Sequence, residues 1–351
     1  MTRKEGIGSY FHDEDPKKMR SLAAPLRLNY NLYYTGRHAL LSILNSIAKT
    51  TKINTIWFPN YYCQHTLAWI KKSCSGIKTY EINPFEFSND TIDIGSFADN
   101  KDVVLVNNYW GLSSMSIKNK PQNVVVIEDH SHGWLSEACL NSHADYCFVS
   151  LRKSLPIPLG GVAWQPHLET SSKQELVIED QTMYGIWNDM LRGMQLKTQY
   201  IKGTSPNKDY NYLPVFYKVE EALNSYFDFA KMLNEHKTII ESFINANTLS
   251  YKEEHLGYLY ENIKDNQYFK IVKKNNKTAF GLLLLFKEEE IFNSLKQYLV
   301  SQDIYPSTLW PDNQVAFQWR YFLNIHVDFR YNMDDMKHIM LTIQNWLEEE
   351  T

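Results

Sequence analysis

The chain reads as an α/β protein, and three observations lead there. Apolar runs of strand length recur through its first half without polar alternation, the mark of strands buried on both faces of a mostly parallel sheet. Amphipathic helical stretches separate those runs. Beyond about residue 187 the pattern loosens into mixed helices and isolated strands, which suggests a smaller α+β domain. We divide the 351 residues into a larger domain over 1–200 and a smaller one over 201–351.

The elements follow in order. Residues 53–58 read as a buried strand ending at Pro59, and 77–82 as another. Residues 103–106 and 124–127 are short runs rich in valine and isoleucine. Residues 146–149 form a further strand, and 161–164 could return beside it. Residues 38–48 carry Leu40, Ile43, Leu44 and Ile47 on one stripe after Gly36, the spacing of an amphipathic helix. Residues 64–72 are a second helix. The polar stretch Gly203-Thr-Ser-Pro-Asn-Lys-Asp209 reads as a linker or surface loop. After it, 219–244 reads as one long amphipathic helix. Residues 280–286, 309–310 and 321–327 look like strands, and 288–300 and 333–348 like helices.

Composition narrows the function. A chain 44% hydrophobic and 14% aromatic is packed and globular. A net charge of -4 gives no reason to expect nucleic acid or an anionic membrane as partner. Residues 1–20 are charged and lack the apolar core of a secretory signal. No apolar run is long enough to cross a bilayer. Cys63, Cys74, Cys139 and Cys147 show neither CxxC pairing nor metal-ligand spacing. We expect a cytoplasmic protein with free thiols and no metal centre.

Four features then point to one kind of ligand. Asp129 closes the apolar run in Val124-Val-Val-Ile-Glu-Asp-His-Ser-His132, and ligands of parallel α/β sheets sit at the carboxyl ends of strands. A carboxylate there can hold a protonated ring nitrogen, although a strand-end acid also serves as an ordinary helix cap. Lys153, in Ser150-Leu-Arg-Lys153, follows the next strand. A lysine drawn partly out of water becomes nucleophilic, whereas a lone lysine in a turn is usually a plain surface charge. Ser150 lies close enough to turn its hydroxyl toward a phosphate, and Gly160-Gly161 allows close backbone approach. In some hydrolases the same Ser-x-x-Lys spacing makes the serine a nucleophile, but their Ser-Asp-Asn and Lys-Thr-Gly elements do not accompany it here. Tyr34-Thr-Gly-Arg-His38 opens a helix. Gly36 permits the turn, and the amides of Arg37 and His38 at the helix N-terminus favour a phosphate group. Phe58-Pro-Asn-Tyr-Tyr-Cys-Gln64 places Tyr62 and Cys63 at another strand end, where an aromatic side chain can stack on a flat ring. Phosphate loop, stacking loop, strand-end acid and later strand-end lysine together suit pyridoxal 5′-phosphate (PLP), whose protonated ring is an electron sink.

The motifs Thr35-Gly-Arg-His-Ala-Leu40, Phe58-Pro-Asn-Tyr-Tyr-Cys63, Ile127-Glu-Asp-His-Ser-His132 and Phe148-Val-Ser-Leu-Arg-Lys-Ser154 resemble the fold-type I PLP enzymes of the DegT–DnrJ–StrS aminotransferase family. Many of these act on nucleotide-linked keto sugars. The resemblance runs over about 33–164 and more thinly over 304–331. It implies a mostly parallel seven-stranded sheet in a three-layer αβα domain of the aspartate aminotransferase kind, with a smaller C-terminal domain. It implies that Lys153 bonds the cofactor's aldehyde, Asp129 holds the pyridine nitrogen, His132 touches the ring hydroxyl, and Gly36, Arg37 and Ser150 hold the phosphate. Strict counting puts Cys63 at the usual ring-stacking position, with Tyr62 beside it as the alternative. Family members are typically homodimers with the site at the subunit interface, and an asparagine of the partner often reaches the phosphate; Asn211 is the candidate.

The implied activity is transamination from an amino-acid donor to a keto acceptor. Trp310 is a candidate to line the acceptor pocket, and Arg330 to grip a carboxylate or phosphate by a bidentate fork. Rival readings are a lyase or cysteine desulfurase, which would need a mobile cysteine such as Cys63, and a non-catalytic ligand-binding protein on the same fold.

Overall fold

Seven strands, valine- and isoleucine-rich at their centre, build the main sheet of this computed structural model, which describes residues 6–8, 10–87, 90–168, 178–204, 211–313 and 315–350. They are β1 (Tyr30–Tyr33), β2 (Ile56–Pro59), β3 (Ile77–Tyr80), β4 (Val103–Asn107), β5 (Val125–Asp129), β6 (Tyr146–Ser150) and β7 (Gly161–Trp164). Their spatial order is β1-β7-β6-β5-β4-β2-β3. The five strands from β6 to β3 run parallel, while β7 is antiparallel to both β6 and β1. The sheet is therefore mixed, and its carboxyl edge gathers the ends of β2, β4, β5 and β6.

Both faces of the sheet are packed. Ile56, Phe58, Val103, Leu105, Ile127 and Phe148 join one core with α1 (Gly36–Thr50) and α2 (Gln64–Ser73). Alternate residues Val104, Val106, Val126, Cys147 and Val149 belong to a second core with α3 (Gln181–Ile201), α4 (Tyr212–Ser225) and α5 (Asn234–Ile244). This double burial is why β4 carries no polar alternation. In α1, Leu40 and Ala39 are fully buried; truncating a core leucine of this kind costs about 2–5 kcal/mol.

A second, antiparallel sheet of β8 (Phe269–Ile271), β9 (Leu282–Phe286) and β10 (Tyr321–Ile325) shares a third core with α6 (Thr248–Asn262), α7 (Glu289–Ser301) and α8 (Met333–Glu350). The chain's early residues come back to this part. Ile7–Gly8 pairs in parallel with Ile304–Tyr305, and the amide of Gly8 donates to the Tyr331 hydroxyl at 2.7 Å.

Two expectations fail. The single helix over 219–244 is broken into α4 and α5, because tertiary contacts hold 226–233 extended. The Trp69 indole donates to the Tyr226 carbonyl at 3.1 Å, Phe227 stacks on Trp69, and Lys231 donates its amide to the Ile178 carbonyl at 2.7 Å. Residues 309–310 are not a strand: Trp310 adopts a left-handed φ of 56° and its carbonyl closes a turn onto the amide of Asn313. The expected linker begins at Gly203, where α3 ends with a left-handed φ of 66°; its residues 205–209 lie outside the described residues. No described helix is long and apolar enough to cross a membrane.

Candidate active site

Asp129 is the last residue of β5, and its carboxylate is fixed by two donors. The Ser131 amide reaches one oxygen at 2.8 Å and the Tyr62 hydroxyl the other at 2.6 Å. One strand over, β6 ends at Ser150 and runs into a single 3-10 turn, Leu151–Lys153, which swings Lys153 to the same edge of the sheet. The Ser131 hydroxyl ties the two strand ends together by accepting the Ser150 amide at 2.9 Å.

Across from them α1 begins. Thr35 caps it, its hydroxyl accepting the His38 amide at 3.3 Å and meeting His38 Nδ1 at 2.7 Å. Gly36 sits so close to β6 that a Cβ there would fall 2.9 Å from Ser150 Cβ and 3.1 Å from Ser150 Cα. Gly161 is equally constrained, since a Cβ would lie 2.5 Å from the Thr35 carbonyl. The glycines are what let the helix end press against the strand ends.

These pieces enclose one cavity of about 340 Å³, lined among others by Gly36, Arg37, Tyr62, Cys63, Asp129, Ser150 and Lys153. Arg37 donates to Asn224 Oδ1 at 2.9 Å; burial, then the neighbouring Arg152 charge, lowers its pKa from the ordinary guanidinium value. Arg152 pairs with Glu220 through both guanidinium nitrogens. Burial alone would weaken the Arg152 charge, and the Glu220 carboxylate outweighs it.

A larger cavity of about 790 Å³ opens beside the first and shares Lys153 with it. His132 forms part of its wall, stacked against Trp110 and Trp310 at 5.1 and 5.0 Å between ring centroids. His132 Nε2 lies 3.4 Å from Lys153 Nζ. Burial, then the charges of Lys153 and Lys252, holds this imidazole neutral far below the usual histidine range. Its Nδ1 is buried with no hydrogen-bond partner among the described residues. Trp110 reaches its position through a left-handed φ of 57°, an unusual conformation for a bulky residue.

The expected site residues thus divide. Gly36, Arg37, Tyr62, Cys63, Asp129, Ser150 and Lys153 share one cavity, and His132 joins Lys153 in the adjoining one. His38 faces away, packed among Trp69, Tyr226 and Phe229 with its amide engaged by the Thr35 cap. Asn211 is exposed at the start of α4 and lines neither cavity, although the next two residues line the larger one. Trp310 lies under Lys153, whose ammonium is 5.7 Å from the indole centroid. Arg330 borders the larger cavity, but its fork is engaged by Asp328 at 2.8 and 2.7 Å, so it serves as an internal clasp. Tyr62 lines the cavity and turns its hydroxyl to Asp129.

No protein-family model matches the chain, and no curated protein sequence matches it. Solved structures do. The sugar aminotransferase CalS13 from Micromonospora echinospora is similar with a TM-score of 0.59 and 12% identity, over 98% of this chain and 100% of that one. PseC of Helicobacter pylori, an aminotransferase of pseudoaminic acid biosynthesis, is similar at 0.58 and 12%, over 98% and 100%. The chain has their fold. A NifS-like protein from Rickettsia africae is also similar, at 0.52 and 10%, over 93% of this chain and 84% of that one. The α/β fold expected from the sequence motifs therefore stands.

Sequence reasoning missed Ser131, Trp110, Glu220 and Asn224. The rule that found Asp129 at the end of β5, applied to the end of β4, would have found Trp110 in Asn108-Tyr-Trp110. Glu220 and Asn224 sit four apart on one face of α4, a spacing indistinguishable from any solvated helix face.

Proposed function

We propose that the protein is a PLP-dependent aminotransferase that moves an amino group from an amino-acid donor to a keto acceptor, with nucleotide-linked keto sugars as the acceptor class. One observation carries the reading: Asp129 and Lys153 face a single cavity whose other wall is the Gly36–Arg37 end of α1. The residues fit the cofactor. The glycine cradle would be filled by a Cβ, Arg37 and the hydroxyl of Ser150 supply phosphate donors, and the unsatisfied His132 Nδ1 offers a group to the ring hydroxyl.

When bound, PLP supplies a ring that accepts electrons from a bond broken at the donor's α-carbon. Asp129 keeps a proton on the ring nitrogen. Lys153 Nζ would hold the cofactor by its aldehyde carbon at rest and, once free, would carry the proton from the donor's α-carbon to that aldehyde-derived carbon. Neutral His132, 3.4 Å away, accepts a hydrogen bond from that amine without adding charge. Trp110 and Trp310 stack on the His132 ring and hold it beside that amine. The three-layer large domain, the separate smaller domain and a homodimer with an interfacial site belong to the same proposal. Asn211, exposed beside the larger cavity's wall, supports the last. Four free cysteines support a reducing, cytosolic setting.

The desulfurase alternative rests on Cys63, which lines the cavity. That thiol is held at the start of α2, where the Thr66 hydroxyl donates to it at 3.3 Å.

A donor screen tests the reading. Purified holoenzyme is mixed with single amino acids, glutamate among them, and the visible band is followed for conversion to the pyridoxamine form. Borohydride reduction and peptide mapping should place the pyridoxyl group on Lys153. A chain that keeps its cofactor and converts with no donor would defeat the aminotransferase reading, and alanine released from cysteine would replace it with the desulfurase.

A further inference from the structure

We infer that Tyr62 is a positioning residue that sets the charge of the cofactor ring, acting through Asp129 and not by stacking. The inference rests on the PLP reading above.

Tyr62 is 1% exposed, and its hydroxyl donates to Asp129 Oδ2 at 2.6 Å, in the short range of charge-assisted bonds. The ring is wedged between Phe58 and Trp310, at 5.4 and 5.7 Å between centroids. Its backbone carbonyl accepts from Asn313 Nδ2 at 2.8 Å, so both ends of the residue are pinned. Burial first, then the Asp129 charge, raises the Tyr62 pKa well above the ordinary phenol value, so the phenol stays a donor across the working pH range. The Ser131 amide holds the other Asp129 oxygen at 2.8 Å. A carboxylate offers about four lone-pair sites, so two donors fix its plane and leave acceptor positions facing the cavity.

The consequence concerns where a shared proton rests. A phenol that disperses carboxylate charge makes the carboxylate a weaker competitor for a proton held between it and a ring nitrogen. The proton then stays on the ring, which is the charged form that withdraws electrons. Without the phenol, a buried carboxylate takes a larger share of that proton, and the ring loses cationic character.

The test is Tyr62→Phe, which keeps the wedge and deletes only the donor, with Tyr62→His as the variant that restores an N–H donor. Each protein is reconstituted with PLP carrying nitrogen-15 in the ring. We expect the wild-type ring nitrogen to resonate as a pyridinium, the Phe variant to move toward the neutral pyridine position, and the His variant to recover part of the way. The pH midpoint of the bound cofactor's visible band should rise by about one pH unit in the Phe variant, and the donor half-reaction should slow by about tenfold or more with KM little changed. Cofactor bound in all three proteins with the same nitrogen shift would overturn the role of Tyr62 while leaving the aminotransferase reading in place. Should the Phe variant not fold, the His variant is compared with wild type alone, and a ring nitrogen more neutral than wild type but still partly protonated is the expected result; an unchanged shift and an unchanged band midpoint overturn the inference. Wild-type protein that binds no cofactor would overturn both.

Discussion

Lowering the pH from 7.5 to 5.5 should destabilise the cofactor-free protein by about 3–4 kcal/mol, at pH values where its carboxylates remain mostly ionised. Burial lowers the pKa of four histidines, His38, His132, His236 and His326, and the shift is large for all but His236. His38 is buried against Trp69, Tyr226 and Phe229; desolvation, then the Arg37 charge, drives its pKa down to about 3. His132 is depressed well below the ordinary value by burial and two lysines. His326 is lowered to about 4, by burial and then Arg330. In the unfolded chain each titrates near about 6.5. A base whose native pKa is depressed gives its proton uptake to the unfolded state. The stability it confers is therefore fully present above the unfolded value and is lost as pH falls below it, down to the native value. Over this interval each fully buried histidine contributes about 1.4 kcal/mol. His326 keeps 22% of its side chain exposed, so its share is smaller. The sum is a large fraction of a typical stability of about 5–15 kcal/mol. Urea unfolding at the two pH values measures the loss, and calorimetry in two buffers counts the protons. We expect uptake of about two to three protons on unfolding at pH 5.5, falling by about one in His38→Asn. Uptake below one proton, or an unfolding midpoint that does not move with pH, would refute the reasoning.

Gly36→Ala should cost about 1–3 kcal/mol by overpacking, because its new Cβ meets Ser150 backbone and Cβ within 3.2 Å; thermal melts and PLP titration should show stability and cofactor affinity falling together. Arg330→Ala should lower stability by about 3–5 kcal/mol, since it leaves Asp328 buried without its partner. Denaturant curves read this, and a rise in KM with unchanged stability would return Arg330 to the role of substrate fork. Asp129→Asn should still hold PLP on Lys153 but slow the donor half-reaction by roughly a hundredfold or more, equivalent to about 3 kcal/mol of barrier. Stopped-flow absorbance measures it, and a rate within threefold of wild type would remove Asp129 from the mechanism.

The main sheet was legible because double burial leaves an unmistakable pattern. The run at 161–164 coincides with β7, and Leu40, Ile43, Leu44 and Ile47 mark the buried stripe of α1. Strand ends then pointed to Asp129 and Lys153 without any knowledge of neighbours. What stayed hidden depends on distant partners. The periodicity of 219–244 is genuine, yet Trp69 and Ile178 hold its middle extended through bonds that no local pattern encodes. The Tyr62–Asp129 bond joins residues 67 apart and the Arg37–Asn224 bond residues 187 apart. Arg330 read as an available fork because nothing in the local sequence marks Asp328, two residues before it, as buried. Only folding shows that the pair is buried and mutually engaged.

The bond from Gly8 to Tyr331 spans 323 positions, and Tyr10 and Phe11, just beyond Gly8, help wall the larger cavity opposite residues such as Tyr305 and His326. Closing so long a loop is among the slowest contacts a chain makes. Tyr10 also stacks on Phe216, and Lys197 donates to its carbonyl, so this segment bridges α3 and α4 to the pairing at Ile304–Tyr305. One wall of the larger cavity beside Lys153 thus comes from a segment remote from it in sequence, and a chain clipped of Tyr10 and Phe11 would keep every strand of the main sheet while losing that wall. A bulky fusion placed ahead of Ile7 would weigh on that wall and on the Ile7–Gly8 pairing more than on any strand of the main sheet.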